Sequence, residues 1–251
     1  MGQRIGIVQT RGIGDIVIAL PIADHFLESG SEVVWPVDQQ FLEMFQRAKP
    51  DIQFVGVTGS PPHSPGYFLH EPLQLIGQHH CDRTVILYSF LSGFNISDTR
   101  LSATLKFDEY KYAIAGVPFE RKWKLKLQRD TDREDALFHS LGIDRQYVLV
   151  HEYGSKYEAR IPIPANIERD YQVVRVDERT DSIFDWLLVI ERASMLYMID
   201  SAMANLIEQL NLPNPKKLFL NSEVTSTPVY KNGWQFAFLG PADIANGLTL
   251  T

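Results

Sequence analysis

Residues 10–26 read TRGIGDIVIALPIADHF and follow directly on the apolar run RIGIVQ, residues 4–9. A short apolar run closed by turn residues marks a buried parallel strand. Beyond the turn, Val17, Leu20, Ile22, Phe26 and Leu27 recur at helical spacing, and Gly30 is a natural stop. The stretch is therefore a strand, a glycine-bearing turn and a helix. What the turn holds is less settled. Gly12 and Gly14 are compatible with a dinucleotide fingerprint, and Asp38 closes the next strand roughly 20 residues on, where a ribose-binding acid would stand. The third glycine position of that fingerprint is Val17, however. Asp15 sits at the mouth of the helix, where the helix dipole stabilises a carboxylate and where that carboxylate repels a pyrophosphate. Asp15 is then either a helix cap, which Asn would replace at little loss, or a carboxylate aimed at a second substrate.

Working outward, SEVVWPV is a second strand, QQFLEMFQRA a second helix, IQFVGV a third strand and RTVILYSF a further buried strand. Strands alternating with helices indicate parallel βαβ units. The rhythm is lost between residues 92 and 130, where RKWKLKLQRD reads as an exposed strand or a linker. A second alternation then begins. QYVLVHEYGS is strand and loop, YQVVRVDE strand, and SIFDWLLVIERA a helix capped by Asp181 or Ser182. MLYMID is strand, SAMANLIEQLNL helix and KKLFLN strand. The expected fold is α/β, with two Rossmann-like domains, residues 1–118 and 133–251, joined by a linker at 119–132 and facing one another across a cleft. Such folds bind ligands at the carboxyl ends of their strands.

The bulk numbers agree with a globular chain. Of 251 residues, 45% are hydrophobic and 22% charged, so a sizeable core is expected rather than disorder. A net charge of −7 argues against a protein whose main task is gripping nucleic acid. The single cysteine, Cys81, rules out an intrachain disulfide framework and fits a reducing compartment. No signal-peptide pattern and no run of about 20 apolar residues is visible, so a cytoplasmic protein without a membrane span is expected.

Three further stretches carry chemistry. In MLYMIDSAMANL, Asp200 and Ser201 end a strand and open a helix whose first turn holds Ala202, Met203, Ala204 and Asn205. Free N–H groups beside a hydroxyl and an amide make a seat for a diphosphate, although a plain capped helix has the same look. In HEYGSKYEARIP, Gly154 and Ser155 suit a tight turn, while Lys156 and Arg160 offer positive charge to a leaving phosphate or are solvated surface. Glu178 follows VVRVD as a weak candidate for ribose hydroxyls. QHHCD places His79, His80 and Cys81 side by side, a spacing unsuited to zinc, so no metal site is expected. ERKWKLKL alternates Lys122, Lys124 and Lys126 with apolar residues, as a half-buried strand with a solvated face or, less readily, a track for a nucleic-acid backbone.

Residues 4–26, together with DSAMANL, HEYGS and ARIP, resemble the glycosyltransferase family 9 heptosyltransferases. That family has a strand, a turn of the form S/T/R-x-x-G-D and a helix reading V-x-x-x-L-P. It also carries a nucleotide-diphosphate loop D-[ST]-G-x-x-H-L and a segment H-x-G-[AS]-S followed by [KR]-W-P. Here Ala202 stands for the Gly of that loop and Asn205 for its His. The resemblance implies a GT-B fold with the acceptor on the N-terminal domain and a nucleotide sugar on the C-terminal one. It implies an inverting transfer without a metal or other cofactor. Asp15 is the implied general base, with Arg11, Gly12 and Gly14 as the acceptor-side loop. The implied diphosphate site is Gly154, Ser155, Lys156, Arg160 and residues 200–205. The acceptor is a glycan by family default or, given the KWKLKL stripe, a modified DNA base. The rival expectations are a dinucleotide-dependent oxidoreductase using Gly12, Gly14 and Asp38, and a catalytically silent GT-B-like binding module.

Overall fold

The computed structural model describes residues 2–61, 64–89, 98–154, 157–221 and 227–245. The chain divides into two compact units, Met1–Gln128 and Arg129–Thr251. The division after Gln128 falls within the 119–132 stretch.

In the first unit the strands are β1 (Arg4–Val8), β2 (Glu32–Asp38), β3 (Gln53–Val57) and β4 (Arg83–Ile86). Between and after them lie α1 (Ile13–Glu28), α2 (Leu42–Ala48), α3 (Glu71–Gln78), α4 (Thr99–Thr104) and α5 (Phe107–Ala115). All four strands are parallel, in the order β3-β2-β1-β4. The order reverses at β1 and β4, so the crevice beyond their carboxyl ends is the natural ligand position of this sheet. The apolar side chains of β1 are buried because helices cover both faces of a parallel sheet.

Two expectations for this unit are corrected. The helix of residues 10–26 begins at Ile13, not at Asp15. Its N-cap is Gly12, at φ +82°, which glycine adopts readily and other residues do not. Asp15 is thus the third helical residue rather than the cap. The KWKLKL stretch is not an alternating strand either. Phe119–Trp123 is a 3₁₀ turn, and Lys122, expected on a solvated face, is fully buried with its ammonium 2.7 Å from Asp108. Lys122 sits near the faces of Phe119 and Trp123, a cation held by a carboxylate and two rings.

The second unit contains α6 (Thr131–Ser140), β5 (Tyr147–His151), β6 (Glu158–Ala159), α7 (Ala165–Asp170), β7 (Gln172–Arg175), α8 (Leu187–Arg192), β8 (Met195–Ile199), α9 (Ala202–Leu210), β9 (Lys216–Asn221), β10 (Trp234–Leu239) and β11 (Ile244–Ala245). Five strands form a parallel sheet in the order β10-β9-β8-β5-β7, while β6 and β11 make a small antiparallel pair. Alternation along each strand separates two cores. Tyr147 and Leu149 of β5 pack on one face with Trp186, Val189, Met203 and Ile207, and Val148 and Val150 pack on the other with Tyr157, Ile161 and Phe219. The strand order reverses between β5 and β8. SIFDWLLVIERA, expected as one helix, is a 3₁₀ turn capped by Ser182 followed by α8.

Candidate functional site

The reversal point of the first sheet is a dense polar cluster. Gln9 and Thr10 end β1, and Leu87 and Tyr88 follow β4 in step with them, Leu87 N donating to Val8 O. Lys111 enters from α5. Its buried ammonium donates to Gln9 Oε1 at 2.6 Å and to Leu87 O at 3.3 Å, and it pairs with Asp15 Oδ1 at 3.0 Å. The Asp15 side chain is 40% exposed while that of Lys111 is 4% exposed, so the pair joins the interior to the surface. Asp15 Oδ2 hangs over Gly12, where a Cβ would lie 2.8 Å from it. One carboxylate oxygen is thus held by the lysine and the other lies along the glycine turn.

Around this pair the backbone is fixed from the side. Gln9 Nε2 donates to Arg11 O at 2.8 Å, and Trp35 Nε1 to Gln9 O at 3.0 Å. Tyr88 Oη accepts from Thr10 N at 2.7 Å, and burial pushes the phenol up to about 12, so it stays neutral. Asp38 is engaged as well. Its Oδ1 accepts from Gln40 N at 3.1 Å and its Oδ2 from Tyr67 Oη, whose ionisation is driven up by burial and by that carboxylate, against the pull of Arg11. Asp38 therefore works as a cap and a tyrosine acceptor, and the helix mouth where a pyrophosphate would rest holds the Asp15 carboxylate. Both facts weigh against the dinucleotide reading.

The second sheet is built differently at its reversal point. Ser201 caps α9, its Oγ accepting from Ala204 N at 3.3 Å. His151, the last residue of β5, brings Nδ1 to 3.1 Å from that Oγ. Burial holds the imidazole down at about 4, so at neutral pH the ring is uncharged and shares a hydrogen bond with the serine hydroxyl. Asp200 Oδ1 accepts from Tyr230 Oη at 2.6 Å. Gly154 lies against the same turn: a Cβ there would come within 3.3 Å of Ile199 and 3.6 Å of Asp200 O. HEYG and DSAMAN, fifty residues apart in sequence, are thereby brought side by side. Helix geometry leaves the Ala202 and Met203 N–H groups without an intrahelical acceptor. Met203 and Ala204 put their side chains into the core, so only their backbone is available to a ligand. Asn205 folds back, Nδ2 donating to Ser201 O at 2.9 Å, and its buried Oδ1 has no hydrogen-bond partner among the described residues.

The remaining candidates are placed elsewhere. Ser155 and Lys156 lie outside the described residues. Arg160 is not tied to the Ser201 turn by any hydrogen bond or ion pair among the described residues. Its backbone N donates to Asp243 O at 2.7 Å, and the residue is among those around a cavity of about 450 Å³ with Glu152, Glu158, Arg175 and Asp243. Glu178 is exposed on the bend after β7, beside the Asp177–Arg179 pair. The structure also adds Gln9, Tyr88, Lys111 and Tyr230, which no motif had marked. Lys111 stands in DEYKYAIA, where a lysine between two tyrosines on a helix gives no sign that it is buried. His151 was legible only as part of its segment, without a partner. Among the described residues, no group of three or more acidic, histidine or cysteine side chains is arranged to hold a metal ion, and no helix is long and apolar enough to cross a membrane.

No protein-family model and no curated protein matches the sequence. Solved structures do match the fold. A glycosyl transferase family 9 protein from Veillonella parvula superposes with a TM-score of 0.64 at 12% identity, over 94% of this chain and 86% of that one. The ADP-heptose LPS heptosyltransferase II of E. coli gives 0.55 at 9% identity, over 94% and 90%. E. coli heptosyltransferase WaaC, solved with ADP-2-deoxy-2-fluoro heptose, gives 0.52 at 12% identity, over 96% and 95%. The chain has the α/β fold of these glycosyltransferases over 94–96% of its length.

Proposed function

We propose that the protein transfers a glycosyl group from a nucleoside-diphosphate sugar to an acceptor hydroxyl, with inversion and without a metal ion. The observation that carries this is the division of labour between the two reversal points. One sheet presents a carboxylate backed by a buried lysine. The other presents the N-terminal N–H groups of α9, a capping hydroxyl and small residues, the chemistry of an anion seat. The similar structures include one solved with an ADP-sugar analogue, which supports a nucleoside diphosphate as the donor's leaving part.

In this scheme the acceptor oxygen attacks the anomeric carbon from the face opposite the diphosphate. Its proton passes to Asp15 Oδ2 as the C–O bond forms, and the electron pair of the breaking bond leaves with the diphosphate. The N–H groups of Ala202 and Met203 and the Arg160 guanidinium receive the departing charge. Arg11, Gly12 and Gly14 shape the acceptor side, and a glycan is the acceptor class proposed. The test is donor turnover in wild type and Asp15→Asn, with nucleoside-diphosphate binding measured alongside. The expected result is binding retained and transfer reduced by roughly 10²–10⁴-fold, the usual worth of a general base. Equal turnover in the two proteins would remove Asp15 from the chemistry.

A further inference from the structure

Two aromatic side chains of the second unit stand in solvent on an open sheet edge. In β10, WQFAFL, Phe236 is 53% exposed and Phe238 73% exposed, and with Tyr153 they are the exposed large hydrophobic residues among those described. β10 is the terminal strand of its sheet, paired along its whole length with β9 and, among the described residues, with no strand on its other side. A strand in that position offers a row of N–H and C=O groups to a further strand, and proteins ordinarily guard it with charge, proline, a bulge or brevity. β10 has none of these guards. It carries no charged residue and no proline, and its register with β9 runs without a bulge. The opposite edge of the sheet is protected: β7 is four residues long and ends in Arg175, which Glu152 holds.

Positions 234, 236 and 238 share one face of the strand. Trp234 enters the core there, and the two phenylalanines continue the same face into solvent. We infer that this edge pairs antiparallel with the β10 edge of a second copy of the chain, about a two-fold axis at Ala237, so that two sheets become one. The register follows from the residues. Directly opposite residues of an antiparallel pair lie on the same face. With Ala237 opposite Ala237, Phe236 of each copy stands opposite Phe238 of the other, and all four exposed rings are covered. A shift of two residues leaves one phenylalanine opposite itself and the other opposite Trp234 or Gly240. A shift of one residue puts the rings of the two copies on opposite faces. The ends match in charge as well. Antiparallel pairing sets the start of one β10 beside the end of the other, and exposed Lys231 stands as far before Ala237 as Asp243 stands after it. Two copies of net charge −7 repel one another where their acidic surfaces meet, whereas here an uncharged strand is bracketed by opposite charges. The contact also closes on itself, as a β10-to-β7 contact would not. Area sets its strength. Four rings exposed to this degree bring roughly 500 Å² to the contact, about a third of a standard interface, so the dimer forms and dissociates with concentration.

The experiment is sedimentation velocity on the whole chain from about 1 to about 100 μM, the range suited to a contact of small area. Wild type should pass reversibly from monomer to dimer and no further. Phe238→Lys, a change at an exposed ring, should weaken dimerisation by about tenfold or more. Tyr153→Ser, at the exposed aromatic off the strand, should leave it unchanged. Lys231→Glu and Asp243→Lys each set like charges together at both ends of the pair, so each alone should dimerise more weakly. Their mixture restores opposite charges at both ends and should recover the wild-type association as a mixed dimer. With Cys81→Ser in the background, Ala237→Cys should crosslink to a covalent dimer on oxidation, since the axis brings its two copies together. Gln235→Cys, on the same face but with its two copies apart in this register, should not. Wild type that stays monomeric throughout overturns the proposal and leaves the edge to a different chain. A dimer indifferent to Phe238→Lys overturns it too, because the contact is then elsewhere, and so does association that grows past two copies, which is edge-to-edge aggregation. Crosslinking of Gln235→Cys without Ala237→Cys overturns the two-fold at Ala237. Should Asp243→Lys disturb folding through the bond its carboxylate accepts from Gly240 N, Phe238→Lys and the two cysteine variants decide.

Discussion

Asp15 and Lys111 carry opposite charges 3.0 Å apart, yet only the lysine is buried. Removing the carboxylate therefore strands a cation whose remaining partners are an amide oxygen and a carbonyl. An uncompensated buried charge is more harmful than the loss of the pair. Asp15→Asn should destabilise the fold by roughly 1–3 kcal/mol, tempered by the exposure of Asp15. Lys111→Met added to Asp15→Asn should restore most of that stability while transfer stays lost. Urea unfolding of the two variants checks this, and a double variant no more stable than Asp15→Asn would show that the ammonium is not what the carboxylate stabilises. The sequence suggested a cap replaceable by Asn; the burial of Lys111 reverses that expectation. His151 supplies a second test at this scale. Its imidazole is held at about 4 against an ordinary 6.5, so between those values the unfolded chain binds more protons than the folded one. Stability from His151 is complete above pH 6.5 and is lost as the pH falls toward 4. The ring is half-buried, so about 3 kcal/mol is an upper bound. His151→Asn should flatten the decline of the urea midpoint between pH 7 and 4.5 relative to wild type, and parallel declines would deny His151 that role.

The glycine turn ahead of α1 shows what an element boundary does for the site. Gly12 at φ +82° lets the chain pass from β1 into the helix while leaving room for Asp15 Oδ2 above it. Gly12→Ala would force an unfavourable backbone and set a methyl 2.8 Å from that oxygen. A loss of roughly 1–3 kcal/mol is expected from the backbone. Donor turnover should also fall, since the carboxylate must swing away from its present place, while nucleoside-diphosphate affinity should hold. Activity and calorimetry on the one variant separate these effects. Elements with a clear period were legible from residues alone: β1, α1, β5, β8 and α9 stand close to where their patterns put them. The misses have physical causes. Lys122 looked solvated because no sequence pattern shows that Asp108 waits for it in the interior. Strand β10 gives no legible period, because Trp234 is buried while Phe236 and Phe238 are exposed and the pattern has no clean alternation. Its approach is fixed instead by a long-range acceptor, Glu208 on α9, which takes bonds from Lys231 N and Trp234 Nε1.

At the scale of the whole molecule, each reversal point is assembled from segments that sequence distance conceals: Asp15 with Lys111, and His151 with Ser201. Motif reading located the turns; only the strand order 3-2-1-4 in the first sheet, and its counterpart in the second, says why those turns collect the chemistry. The same topology makes a separable claim. Every strand pairing among the described residues stays within its own unit, and the second sheet has a core on each face drawn from residues after 129. The α9 N-terminus proposed above as the diphosphate seat lies in that unit. Residues 129–251, produced alone, should fold cooperatively, since a domain with its own core and sheet needs no other scaffold. The fragment should bind a nucleoside diphosphate with about the affinity of the whole chain and should have no transfer activity, because Asp15 is absent. Coincident urea transitions by near-UV and far-UV circular dichroism, with calorimetry on the same sample, measure both properties. A fragment that folds but does not bind would mean that residues 1–128 contribute directly to the donor site, and the assignment of donor chemistry to the second unit would fail.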